Sequence, residues 1–528
     1  MKRKIFVVML MLLLSITACK KEKFAEYYVD PASTNATTVE KQFAGAIAST
    51  LDYTMYRYWN YFVVLQNTAL HYTQAVAWQN APKQYEPGAA AIGDRWNSYY
   101  GFLTQYKELL KVYNNAPTTE QTDKRIYIVA ATIFFYDQTQ KVVDLHGDIP
   151  WTKAGLLSTN NGDYQTSYAK YDDAATIYTK MLDDLKAFAD ELNSIAVPAW
   201  ISGVFKTQDF INGGDLTLWK KYCNSLRVRM LMRVSGVSSF QSRVSSEMAS
   251  ITGNPSSYPV CATTSDNILI DVKSLDNSSV TSDLYNGIIG WGNNDRANKG
   301  MIDIMNANGD PRLRAMFQPG ALSAPKYLGL NPMLDATTQG KYFAIDTLAK
   351  YNFSTISKNK KLPGILVTTA ATQLLLADYY LNIANNDGAA KTAYETGIKA
   401  SIDYYFYLRS ISDNNETAVD PTNATEISAF LDSNIAWSKA STVAAKQNLI
   451  ATQKWINYSI LEHLESWAEV RRTKLPAFQF VVDNASSLAP QPPARFTYPE
   501  NESTYNTDNY NLVKSKDNLN TKIFWDVK

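Results

Sequence analysis

The chain has 528 residues, of which 45% are apolar and 19% charged, an ordinary globular composition with ample material for a core. Its 51 basic and 50 acidic side chains leave a net charge of +1, which gives no electrostatic basis for a nucleic-acid partner. Three cysteines (Cys19, Cys223, Cys261) exclude a disulfide framework, while 34 Tyr, 20 Phe and 11 Trp supply flat apolar faces for a core and for sugar- or peptide-facing surfaces alike.

The first stretch, MKRKIFVVMLMLLLSITAC, places Lys2, Arg3 and Lys4 before an apolar run from Ile5 to Leu14. That run is well short of the ~20 residues a membrane-spanning helix needs, and the pattern predicts a signal peptide over residues 1–18. Ile16-Thr17-Ala18-Cys19 resembles the bacterial lipobox, which implies that Cys19 becomes the acylated first residue of the mature chain. Each buried methylene contributes about 0.8 kcal/mol, so two or three acyl chains anchor a protein essentially permanently. Residues 19–38 are polar, poor in branched apolar side chains, and expected to form a flexible tether. No later apolar run is long enough to span a bilayer.

From Val39 the chain reads as helix after helix, and residues 39–528 are expected to form one mostly α domain. Apolar residues recur three to four apart in VEKQFAGAIASTLDYTMYRYWNYFVVLQNTALHYTQ and in RWNSYYGFLTQYKELLKVYNN. TDKRIYIVAATIFFYDQTQKVVDLHGD has Thr122 as a candidate N-cap and Gly147 as a candidate C-terminal cap, with His146 ending the helix. Two more helices follow, in YAKYDDAATIYTKMLDDLKAFADELNS and LTLWKKYCNSLRVRMLMRVSG, where Cys223 reads as a small buried residue. Residues 250–365 are rich in Ser, Asn, Gly and Pro and read as loops with a few short strands covering the helices. Irregular segments on a rigid scaffold commonly carry binding. The pair in ATQLLLADYYLNIANNDGAAKTAYETGIKASIDYYF, with Ala377, Ala390, Gly397 and Ala400 at close-packing positions, has the style of a tetratricopeptide hairpin. A last helical pair, with Trp455, Glu462, His463 and Glu465, precedes a proline-rich tail.

Catalytic patterns are missing. The three histidines, His71, His146 and His463, are far apart, and there is no HExxH, GxSxG, phosphate loop or GxGxxG after a strand. No metal site or cofactor is expected beyond lipid on Cys19. The paired carboxylates Asp172-Asp173 and Asp183-Asp184 read as solvated faces. Loop aromatics with polar neighbours are the candidate ligand contacts: Trp78 and Tyr85 in AWQNAPKQYEPG, Trp200 in VPAWISGVF, and Trp291 with Asn293 and Asp295 in IIGWGNNDR.

Several segments, in order, resemble the SusD/RagB-like outer-membrane lipoproteins of Bacteroidetes, particularly the second SusD-like subfamily. They are VVDLHGDIPWTKAG, GGDLTLWKKYCNSLRVRMLMRVS, NGDPRLRAMFQP, and ATQKWINYSILEHLESWAEVRRTKLPAF followed by PPARFTYPENESTYN. The chain departs from the family pattern at AATQLLLADYY, where Ala371 stands for the first glutamate and Asp378 for the second. The resemblance implies a SusD-like helical fold with tetratricopeptide-like helix pairs. It also implies a surface-exposed, lipid-anchored outer-membrane protein that captures glycans or other nutrients, peptides included, for a partner SusC-like TonB-dependent transporter. Residues read independently agree, with Arg227, Arg229 and Arg233 expected to tie neighbouring loops, Arg471 and Arg472 to meet last-turn carbonyls or buried acids, and Arg495 and Tyr498 to dock the tail. The alternatives are a lipid-anchored glycan-processing enzyme, which needs two carboxylates facing one cleft, and a helical-repeat adaptor for periplasmic assembly.

Overall fold

The computed structural model describes residues 37–271, 281–289 and 295–528. The predicted signal peptide, Cys19, nearly all of the predicted tether, Trp291 and Asn293 lie outside the described residues. The longer helices are α1 (Val39–Ala48), α2 (Ala89–Asn114), α3 (Arg125–His146), α4 (Ala174–Glu191), α5 (Ala199–Gln208), α6 (Leu216–Arg233), α7 (Gln241–Gly253), α8 (Lys299–Asn308), α9 (Thr369–Asn382), α10 (Asp387–Ile411), α11 (Val443–Tyr458) and α12 (His463–Thr473). Strands are short and pair only as antiparallel two-stranded ladders: β1 (Ile149–Pro150) with β2 (Tyr171–Asp172), β3 (Ile268–Ile270) with β6 (Gly364–Val367), and β4 (Phe317–Gln318) with β5 (Lys350–Tyr351). The architecture is mostly α, and no described helix is long and apolar enough to cross a membrane.

Local chemistry sets the helix ends. The carboxylate of Asp215 accepts from the backbone N–H groups of Thr217 (2.7 Å) and Leu218 (3.2 Å) to start α6, and Thr368 accepts from Ala371 to start α9. Gly147, at φ 77°, closes α3 in a conformation other residues rarely adopt. Thr122, the expected cap of α3, instead lies in a separate short helix (Thr118–Asp123) that precedes it.

Amphipathicity decides which helices sit where. α4 buries Ile177, Tyr178, Met181, Leu182, Leu185 and Ala189, spaced three to four apart, and turns its other face to solvent. α3 is buried nearly all round, as befits the helix at the centre. α6 is buried from Tyr222 to Arg233 although it carries Arg227, Arg229 and Arg233. Such charges are tolerated only when paired and hydrogen-bonded.

Each arginine meets that condition. Arg227 donates to Glu247 of α7 (2.9 Å). Arg229 pairs with Asp137 of α3 and donates to Gln140 (2.9 Å) and to the Leu366 carbonyl of β6 (3.1 Å). Arg233 donates to Glu465 of α12 (2.6 Å) and lies 3.6 Å from Asp144 of α3. These arginines mainly tie helix to helix and, through Leu366, to β6, while Arg227 over the Tyr258 ring (5.5 Å) and the Asn224–Pro259 bond reach the loop after α7. Burial opposes the charge on Asp137, yet Arg229 and Lys141 beside it hold its carboxyl below the ordinary value.

The C-terminal segments dock on this centre. Arg471 donates to the carbonyls of Asp144 in the last turn of α3 (2.8 Å) and of Ala494 (2.9 Å), while Arg472 pairs with Glu469 (2.7 Å) and Asp378 (2.5 Å). Asp378 also meets Lys454 (3.1 Å), so the residue at the second glutamate position holds α9, α11 and α12 together. Arg495 and Tyr498 are buried, and His146 bonds the Thr497 carbonyl (2.9 Å) rather than the carbonyls of its own helix. Burial, with Arg495 nearby, holds the His146 imidazole neutral, down to about 3. Residues 250–365 contain more helix than expected, including α8 and Ala336–Ala344. They share an apolar core with α10 and α11 through Met301, Met305, Phe317, Ile356, Tyr405 and Trp455.

α9 and α10 form the tetratricopeptide-like hairpin, with Ala377, Ala390 and Gly397 at its seam. A Cβ on Gly397 would sit 2.7 Å from Leu374 Cγ. Gly397→Val is expected to destabilise the fold by about 1–3 kcal/mol through overpacking, read as a lowered urea midpoint with an unchanged slope; an unshifted midpoint would show that the helices can separate without cost.

Candidate functional site

The principal opening in the described surface is a cleft of about 650 Å³. Its walls come from three places. The short helix Leu51–Thr54 and the following segment contribute Asp52, Tyr53, Arg57, Tyr58 and Trp59; the first turns of α2 contribute Asp94, Arg95, Asn97 and Ser98; Thr281–Asp283 and Lys360 close the remaining side. After Met55 the chain leaves its helix and re-enters one as a widened i→i+5 turn (Asn60–Leu65), closed by the Gln66 N–H on the Tyr61 carbonyl (3.0 Å). That break rotates Trp59 outward, leaving it 56% exposed. Its indole N–H donates to Asp94 (2.5 Å), which fixes the ring at the cleft wall. Tyr58 beside it stacks on Phe62 with centroids 5.2 Å apart.

A smaller cavity of about 60 Å³ shares Tyr53, Asn60 and Arg95 with the cleft and is also lined by Gln138, Lys141, Glu462, His463 and Glu465. Burial and the neighbouring Glu465 push the Glu462 carboxyl up to about 8. Burial lowers the His463 imidazole to about 3, so it is neutral.

None of the described ligand candidates from the sequence lines the cleft. Tyr85 is 1% exposed; its ring stacks on His71 and its hydroxyl donates to the Val481 carbonyl (3.0 Å), so its face is spent on the core. Trp78 is half-buried and stacks on the same His71 ring, 4.6 Å between centroids. Asp295 is buried, forms an ion pair with Arg296 and accepts the Tyr351 N–H through its carbonyl (2.9 Å); it is a structural residue, its carboxyl raised by burial despite that arginine. Trp200 is 57% exposed, but on the first turn of helix α5 instead of a loop, and away from the cleft lining.

Trp59 was hidden inside a segment that reads as one continuous amphipathic helix. The available signal was density: Tyr56, Tyr58, Trp59, Tyr61 and Phe62 cannot all share one face of a 3.6-residue helix. Tyr56 and Tyr61 take the core, and Trp59 is left outside. Asp172 and Asp173 are likewise not a bare solvated pair: Asp172 accepts from the backbone of Trp151 and Thr152, and Asp173 caps α4.

The Glu462 carboxyl stays protonated in the folded chain at pH values where the unfolded chain has released that proton. The folded state then binds more protons, so this group's contribution to stability falls as pH rises from about 4.5 to about 8 and is level above that. Glu462→Gln is therefore expected to raise the melting temperature more at pH 8.5 than at pH 5; an equal effect at both would show that Glu462 ionises normally.

The comparisons with known proteins fit this geometry. Among curated proteins nothing matches the chain. Solved structures do. A chitin-binding protein superposes with TM-score 0.72 at 22% identity, covering 92% of this chain and 100% of its own. A chitin-binding SusD homolog from Flavobacterium johnsoniae gives 0.71 at 20% identity, covering 92% and 99%. A SusD homolog from Bacteroides fragilis NCTC 9343 gives 0.72 at 18% identity, covering 93% and 100%. These show a shared fold. The SusD-like family, described as the Susd and RagB outer membrane lipoproteins, matches residues 57–526, and the chain belongs to that family.

Proposed function

We propose that this protein is a lipid-anchored receptor on the cell surface that captures an oligosaccharide in the cleft beside Trp59 and passes it to a SusC-like TonB-dependent transporter. The observation that carries the reading is the half-exposed Trp59 indole, fixed by Asp94 on the wall of a 650 Å³ cleft whose other lining residues are mostly polar. A flat apolar face with hydrogen-bonding groups around it matches a sugar ring, whose C–H face stacks while its hydroxyls bond outward. Binding rather than hydrolysis suits the same inventory, because the cleft acids are engaged: Asp52 faces Arg57, Asp94 holds Trp59, and Asp283 accepts from Asn286 (2.7 Å). Membership of the outer-membrane lipoprotein family supports an anchor at Cys19, and the chitin-binding neighbours support a carbohydrate ligand.

Titration calorimetry with chito-oligosaccharides and a wider glycan set is expected to find a ligand, and Trp59→Ala to weaken it about ten-fold or more, about 1.4 kcal/mol, with little change in melting temperature. Undiminished binding by the variant would remove the cleft from the reading, and turnover of the bound sugar would replace capture by catalysis. A peptide array binding where the glycans do not would change the ligand class. Detergent extracts are expected to yield the protein together with a large β-barrel transporter, and protease added to intact cells to shave it; protection in intact cells would favour a periplasmic role.

A further inference from the structure

The cleft is lined by three acids, Asp52, Asp94 and Asp283, and three bases, Arg57, Arg95 and Lys360. Asp52 faces Arg57, Asp94 accepts from Trp59 and Asp283 from Asn286, whereas Arg95 has no ion-pair partner among the described residues. This side chain is 3% exposed, yet Nη1 and Nη2 of its guanidinium have no hydrogen-bond partner among the described residues. Its guanidinium carbon lies 4.2 Å from the centroid of the Tyr53 ring, and it lines both the cleft and the adjoining cavity. The buried acid in electrostatic reach, Asp137, is already engaged by Arg229, Lys141 and Tyr222. An uncompensated buried cation is costly, and a planar guanidinium with unspent donors matches a carboxylate better than any neutral group does.

We propose that Arg95 is the subsite for a carboxylate carried by the captured ligand, so that the cleft selects acidic oligosaccharides containing uronate residues. The inference rests on the capture reading above and names its substrate class. Arg95 directly follows Asp94, the residue that fixes Trp59, and Asn97 and Ser98 follow on the same turns of α2. One stretch of helix therefore carries the group that orients the stacking platform, the cation, and polar side chains for ring hydroxyls. The Tyr53 ring lies over this guanidinium, and its own hydroxyl has no hydrogen-bond partner by distance and angle among the described residues. Arg57 and Lys360 add two further cations to the lining, Arg57 already facing Asp52.

The test is calorimetric titration of the full chain with paired ligands that differ only in charge: tetragalacturonate and its methyl ester, and a hyaluronan oligosaccharide and its methyl ester. In at least one pair the acid is expected to bind about ten-fold or more tighter than the ester. Arg95→Gln is expected to abolish that preference and Arg95→Lys, which keeps the charge but loses the fork, to retain part of it. Equal affinities for acid and ester in the unmodified protein overturn the proposal, whether or not the variants fold, and so does an acid preference that survives in folded Arg95→Gln. Binding of neutral sugars that depends on Trp59, without any acid preference, removes the subsite and leaves the capture reading standing. Failure of every oligosaccharide, acidic and neutral, removes both.

Discussion

Asp137, Asp144 and Glu465, set against Arg229 and Arg233, form the buried ionic cluster on which the rest of this structure depends. The cluster joins α3, α6 and α12, which are far apart in the chain, and each member is fully or almost fully buried. Removing one partner would leave an unpaired charge in a low-dielectric interior, at a cost of about 3–5 kcal/mol. Neutral donors complete it: Tyr222 on Asp137, and Tyr178 and Trp525 on Asp144. These pairings hold the three helices in one register, and the C-terminal tail is locked to them through Arg471 and Trp525.

That centre is what makes a rigid rim possible. α2 packs on α3, and its first turns stand at the mouth of the cleft as Asp94, Arg95, Asn97 and Ser98. The helix break after Met55 then brings Trp59 onto Asp94. A wall built on a long helix packed against the core is positioned before a ligand arrives, which would reduce the ordering cost of capture. The family resemblance and this geometry therefore bear on different questions: the former on membrane and fold, the latter on where a ligand would sit.

Much of the scaffold was legible. Helical periodicity, small residues along the α9–α10 seam, Arg471 and Arg472 meeting carbonyls and acids, and the docked Arg495 and Tyr498 are all local patterns with local physical causes. The lining of the cleft was not. Tyr85 and Trp78 sit in a segment of turn-forming composition but fold back onto His71, and Asp295 turns inward to Arg296. Trp59, in a helical pattern, faces out at the cleft, and Trp200 faces out away from it. Whether an aromatic in a turn is core or platform depends on what packs over it, and composition holds no information about that.

The sequence by itself determined the helical class, the family, the predicted lipid anchor and the absence of familiar catalytic motifs, because each is encoded in contiguous residues or in their spacing. Only the tertiary structure decided which acids pair with which arginines and which aromatic remains exposed. It also decided that Arg95, unremarkable in a helical repeat pattern, is buried with two guanidinium nitrogens lacking hydrogen-bond partners among the described residues. The reason is physical. Periodicity fixes the face a side chain occupies on its own helix, whereas pairing and exposure are set by residues hundreds of positions away, such as Glu465 on Arg233.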